Sequence, residues 1–177
     1  MRFPFMSDNA VDGDALIVGQ SNASGRIGTV RMQDWQLNNV AEVFVDVSAQ
    51  RLWTALTQLA DTQQYFMGSR VTVGEVGEPY CLKRDDGWEV NGTVLAKEPP
   101  SWLRVTWRVK TPPDTVMPNC EVEYLIEPAL RHGTKSRTKL TVNSYVDGPV
   151  PPPFLNASRT GWAMITRNLK DFLDQGS

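Results

Sequence analysis

From Val40 to Val146 the chain alternates hydrophobic and polar positions in short runs, and after Ser158 the apolar positions recur every three or four residues. In VAEVFVDVS, Val43, Val45 and Val47 alternate with Phe44 and Asp46, the period of a half-buried strand. Ser48 can cap a helix whose apolar side is Leu52, Trp53 and Leu56. DTQQYF, opened by the capping residue Asp61 and stopped by Gly68, predicts a second short helix. Strand-like runs follow: SRVTV, PYCLK ended by the hairpin signal DDG, WEVNGTVLAKE with Gly92 marking a bulge or tight bend, and WLRVTWRVK. In the last of these Leu103, Val105, Trp107 and Val109 take one face. Then CEVEYLIE sets Val122, Tyr124 and Ile126 against Glu121, Glu123 and Leu125, and SRTKLTVNSY sets Leu140 and Val142 against Lys139 and Asn143.

Polar residues on one face of each strand predict an antiparallel sheet solvated on one side, so its other face needs a cover. SRTGWAMITRNLKDFL can supply it: Trp162, Ile165, Leu169 and Phe172, spaced three, four and three apart, form the apolar stripe of a long helix. The order strand, two short helices, antiparallel strands, long final helix is α+β, and its natural packing is a strongly curved sheet around one helix. The prolines of PVPPPF read as a stiff connection before that helix. Residues 1–38, rich in Asp, Asn, Ser and Gly with short apolar pieces at 15–18 and 27–32, read as an extension, partly disordered or adding an edge strand. Residues 39–177 read as the folded domain. Periodicity alone leaves open whether the stripe meets a solid core or a cavity, because both present the same pattern.

Charge narrows the functions. Lys plus Arg number 18 against 20 for Asp plus Glu, without the basic excess that nucleic acid demands. No apolar run has the length of a membrane span or the form of a signal peptide, which makes a cytoplasmic protein the expectation. Cys81 and Cys120 lack CxxC spacing and read as reduced strand thiols. The single histidine, His132, falls in the polar turn RHGTK, so serine and cysteine nucleophiles lack their usual partner and no metal or cofactor site is expected. Arg104, Arg108, Glu121, Glu123, Arg137 and Lys139 alternate outward. Tyr65, Tyr124 and Ser144 remain as side chains able to do chemistry, with ordinary structural partners as the competing reading. No catalytic residue is assigned.

The motifs VFVDVSAQRLWTALT, QQYFMGSRV, NGTVLAKEPPSWLRVTW and GWAMITRNLKDFL, in that order over residues 40–174, resemble the START-like SRPBCC superfamily, and within it the group related to the C-terminal domain of the activator of the heat-shock protein 90 ATPase. The resemblance implies a helix-grip fold with a ligand cavity between sheet and final helix. It implies that the stripe Trp162, Ile165, Leu169 and Phe172 forms one wall and that Tyr65 and Phe66 lie at the entrance, and the alternation of the strands places Val105, Trp107, Tyr124, Ile126 and Leu140 on the other wall. The expected function is binding of a small hydrophobic or amphipathic molecule rather than catalysis, with Trp107 and Trp162 facing each other across the ligand. A co-chaperone-like interaction with a heat-shock protein 90 and a cyclase- or dehydratase-type enzyme on the same fold are the alternatives.

Overall fold

The structure, a computed structural model, describes residues 35–112, 115–129 and 136–175; the apolar pieces at 15–18 and 27–32 and the His132 turn lie outside the described residues. Strand β1 (Gln36–Val45) is followed by helices α1 (Ala49–Thr57) and α2 (Leu59–Tyr65). Then come β2 (Arg70–Val73), β3 (Pro79–Lys83), β4 (Glu89–Glu98), β5 (Trp102–Thr106), β6 (Arg108–Val109), β7 (Cys120–Pro128) and β8 (Thr138–Val146), and the chain closes with α3 (Pro152–Gln175). The strands form one antiparallel sheet in the order β1-β8-β7-β5-β4-β3-β2, with β6 pairing to β4. The helices cover one face, giving the α+β helix-grip arrangement.

Local chemistry accounts for most of the boundaries. The Ser48 hydroxyl accepts the Arg51 N–H at 3.2 Å and caps α1. Gly87 turns the β3–β4 hairpin at φ 85°, where the Arg84 N–H donates to the Trp88 carbonyl at 2.9 Å. Helix α2 starts two residues earlier than its sequence signal: Gln58 is its N-cap and makes no side-chain cap, while Asp61 sits in the first turn. There its carboxylate opposes the positive end of the helix dipole and pairs with Arg51. Helix α3 also starts early: its first two positions need no N–H and accommodate Pro152 and Pro153, and the Pro151 carbonyl accepts from the N–H groups of Phe154 at 3.0 Å and Leu155 at 3.1 Å. The proline cluster is therefore partly the start of the helix, not only a connection to it.

The run expected as one strand, WLRVTWRVK, is divided. Trp107 separates β5 from β6 while its N–H donates to the Cys120 carbonyl at 2.7 Å. Opposite this break lies Gly92, whose added Cβ would stand 1.9 Å from the Thr106 carbonyl oxygen. The missing side chain thus lets β4 and β5 approach closely at the bend. Nearby, the Thr106 hydroxyl accepts the Thr93 N–H at 2.8 Å, and the β4–β5 register shifts between Val94 and Ala96. Both features that Gly92 suggested, a bend and a bulge, lie in this strand.

Beneath the helices the core gathers Val45, Leu52, Val90, Val105, Val142 and Leu169, each no more than 1% exposed. On the opposite face charges are paired: Arg104 with Glu121, and Lys139 with Glu42. Glu123 is buried on that face, yet its carboxylate accepts from Trp102 Nε1 at 3.0 Å, Asn143 Nδ2 at 3.1 Å and the Tyr145 hydroxyl at 3.0 Å. Among the described residues no helix is long and apolar enough to cross a membrane.

Two glycines should respond oppositely to the same substitution. Gly92→Ala drives a methyl into backbone that cannot yield and should cost about 3 kcal/mol or more. Gly161→Ala, inside α3 with nothing within 4 Å of the new methyl, should stabilise by about 0.5–1 kcal/mol. Urea unfolding of both variants measures the difference, and equal midpoints would contradict the close approach at Gly92.

Candidate functional site

The apolar stripe of α3 faces the sheet. Trp162, Ile165 and Leu169 are buried, joined by Thr166 and Leu173, while Phe172 is half-buried at the flank, stacked on Tyr65 with Arg51 over its ring. Trp162 is the centre of a ring cluster. Its centroid lies 6.0 Å from Phe66, 5.5 Å from Trp107 and 6.0 Å from Tyr124, and Trp107 continues to Tyr80 at 5.9 Å. Gly92 is the register partner of Tyr80.

Beside the cluster lies a void lined from α1, α2, β3, β7, β8 and α3. Its free volume is about 10 Å³, space for about one water molecule. Of the residues expected around a ligand, Tyr65, Phe66, Tyr124 and Leu140 line it from one side and Trp162, Ile165 and Leu169 from the other. Val105, Trp107 and Ile126 do not reach it: Val105 and Ile126 are packed in the core, and Trp107 lies behind Trp162. The two tryptophans expected to face each other across a gap are in direct contact. Tyr65 and Phe66 are 2% and 4% exposed, so they close the space rather than rim an opening.

Sequence reading missed other lining residues, chiefly Tyr80, Leu82, Thr62 and Thr166. Tyr80 and Leu82 were legible as the alternates of Cys81 in PYCLK, and Thr166 as the fourth residue after Trp162. Thr62 carried no such signal, because its place depends on a tertiary contact in which its hydroxyl accepts the Val71 N–H at 3.2 Å. That bond and the one from Asn168 Nδ2 to the Tyr65 carbonyl at 3.3 Å hold α2 over the void.

Among the described residues the lining carries no charged side chain. Its hydroxyls stay protonated: burial raises the phenols of Tyr65, Tyr80 and Tyr124 well above the ordinary range. Ser144 is buried on the sheet, its Oγ without a partner, and does not line the void. Cys81 and Cys120 are free and half-buried, and burial pushes the Cys120 thiol up to about 12, which suppresses the reactive thiolate. Among the described residues no three His, Cys, Asp or Glu side chains converge as metal ligands would. The arrangement suits apolar contact and neutral hydrogen bonding.

A family model described as Activator of Hsp90 ATPase homolog 1-like protein matches residues 46–174. Comparison with curated proteins gives no match. Among solved structures, a protein from Mesorhizobium loti is 21% identical with a TM-score of 0.65, covering 78% of this chain and 99% of its own. The Aha1 dimer from Colwellia psychrerythraea is 17% identical with a TM-score of 0.57, covering 78% and 96%. An HSP90 activator from Plasmodium falciparum is 17% identical with a TM-score of 0.56, covering 76% and 96%. At these identities the structures share the fold.

Two measurements follow from the closed, ring-filled site. Leu169→Trp should overpack it and cost about 1–3 kcal/mol or more in unfolding free energy; an unchanged midpoint would mean that the space is larger than its geometry. The second concerns all four tyrosines, since Tyr145, donating to Glu123, is raised as well, chiefly by burial. Each phenol holds its proton more tightly folded than unfolded, so their contribution to stability is complete below about pH 10 and falls as pH rises further. Ultraviolet titration of the native protein should show little tyrosinate at pH 10, and a full set of ordinary phenol transitions there would contradict the burial.

Proposed function

This chain belongs to the Activator of Hsp90 ATPase homolog 1-like family, and from that premise we propose that it binds a small apolar or amphipathic molecule between the sheet and α3. The observation that carries the reading is the convergence of Tyr65, Phe66, Tyr80, Tyr124 and Trp162 on one uncharged void. Aromatic-rich, mostly apolar linings with few polar groups are characteristic of ligand sites. The void is too small for an organic molecule as it stands, so binding requires the walls to part. The strands that line the void are held by unshifted β3–β4, β5–β7 and β7–β8 ladders and α3 is 24 residues long, whereas α2 has seven residues and no side-chain cap. Helix α2 and Phe66 are the parts that would move. The two free thiols favour a cytoplasmic location.

A second reading, a co-chaperone-like interaction with a heat-shock protein 90, is favoured by the family and by the exposed apolar residues of edge strand β1: Leu37, Val40 and Phe44, 56%, 46% and 42% exposed. It asks nothing of the interior. The two readings separate by experiment. Native mass spectrometry of the protein from its own host should retain a small molecule, and indole NMR signals should shift at Trp107 and Trp162 when an apolar ligand is added, with Trp35 and Trp88 unmoved. Shifts confined to Trp35 and Trp88 would contradict the interior site. Stimulation of a heat-shock protein 90 ATPase that Leu37→Ser and Phe44→Ser abolish would instead establish the second reading.

A further inference from the structure

The void has one imbalance of hydrogen bonding. Of the hydroxyls around it, Tyr65 donates to the Ala55 carbonyl at 3.1 Å, Thr62 to the Leu59 carbonyl at 3.1 Å and Thr166 to the Trp162 carbonyl at 2.9 Å. Tyr80 and Tyr124, 2% and 4% exposed, have no such outlet among the described residues: there their hydroxyls meet only each other, at 3.4 Å. Two hydroxyls carry two protons, and one mutual hydrogen bond uses one. The separation is also long for an O–H···O bond. One buried phenolic O–H is left without an acceptor, a condition that costs folding free energy wherever it persists.

We propose that Tyr80 and Tyr124 are the polar end of the ligand site and present that unmatched O–H to a neutral carbonyl oxygen of an otherwise apolar, aromatic-sized ligand. The inference rests on the ligand-binding reading and specifies its chemistry. Among the described residues the lining holds no cation, so a carboxylate would enter without a counter-charge, which a closed apolar site penalises heavily. A hydrocarbon leaves the O–H unmatched. A ketone, aldehyde or ester supplies the acceptor at no cost in charge, and the ring of Trp162, edge-on to Tyr124 at 6.0 Å, can pack against the ligand's flat body. The phenols remain donors over the physiological range because burial keeps them protonated.

Three isosteric probes test this on the full chain: acetophenone, α-methylstyrene and benzoate, titrated by calorimetry and by the Trp162 indole signal. Acetophenone should bind about tenfold tighter than α-methylstyrene, and benzoate more weakly than either. Tyr80→Phe or Tyr124→Phe alone should keep the preference, since each leaves one hydroxyl free to donate. The double variant should abolish it. That variant should fold normally, because replacing both partners by apolar groups of the same shape is close to neutral, and its unfolding transition checks this. Equal binding of acetophenone and α-methylstyrene to the native protein overturns the polar-end assignment while leaving the ligand site standing; water on the spare proton would give that result. Tighter binding of benzoate also overturns it. If neither neutral probe binds the native protein or the double variant, the ligand-binding reading falls first and takes this inference with it.

Discussion

The contact of Trp162 with three separate elements organises the centre of this protein. One ring on α3 touches Phe66 after α2, Trp107 at the break between β5 and β6, and Tyr124 on β7. Each aromatic pair contributes about 0.5–1.5 kcal/mol beyond its buried area, but geometry matters more than the sum. A helix laid on a sheet can slide and rotate. A large planar side chain seated among three others fixes both its position and its rotation. The first half of α3 buries no residue fully before Trp162, so helix placement depends on the segment that Trp162 begins.

That seat exists because the sheet bends where it must. At Trp107 the run divides into β5 and β6, and opposite this break β4 approaches so closely at Gly92 that no side chain fits. The bend brings Trp107 and Tyr80 together on the inner face. The outer face is held by a different chemistry. There Glu123 takes donors from Trp102, Asn143 and Tyr145, one from each of β5 and β8 and a second from β8, so a single carboxylate ties three adjacent strands. A buried charge is tolerated because donors surround it.

The pattern of periods in the sequence made the fold legible. Alternation identified the strands and their inner faces, and the three–four spacing identified α3 and most of its buried stripe. Signals that act within a few residues, such as Ser48 capping α1 and Gly87 turning a hairpin, also held. What stayed hidden depends on distance. Helix α2 could not be placed from Asp61 because its start is set by packing and by the Arg51 pair, ten residues back in the chain. The division of WLRVTWRVK depends on Gly92, on another strand. The site was legible as a wall of rings but not as a volume: alternation assigned Val105 and Ile126 to the right face yet could not tell residues packed in the core from residues that reach the void. Tyr80 was missed because its importance comes from the Tyr124 hydroxyl, 44 residues away.

A filled centre has a thermodynamic consequence for any ligand that enters it. If α2 and Phe66 are the parts that move from Trp162, as proposed, the free energy of that step lowers the apparent affinity by the fraction of molecules open, tenfold for each 1.4 kcal/mol or so. The ring contacts that are broken on opening therefore oppose binding. The ligand must replace what the rings give up. An aromatic body restores the ring contacts, and an acceptor for the spare phenolic proton adds an interaction that the closed state lacks. Only the second favours the liganded form outright, since the first merely exchanges one set of contacts for another. On the proposed reading, discrimination between ligands would rest on the pair of hydroxyls rather than on the larger apolar surface around them.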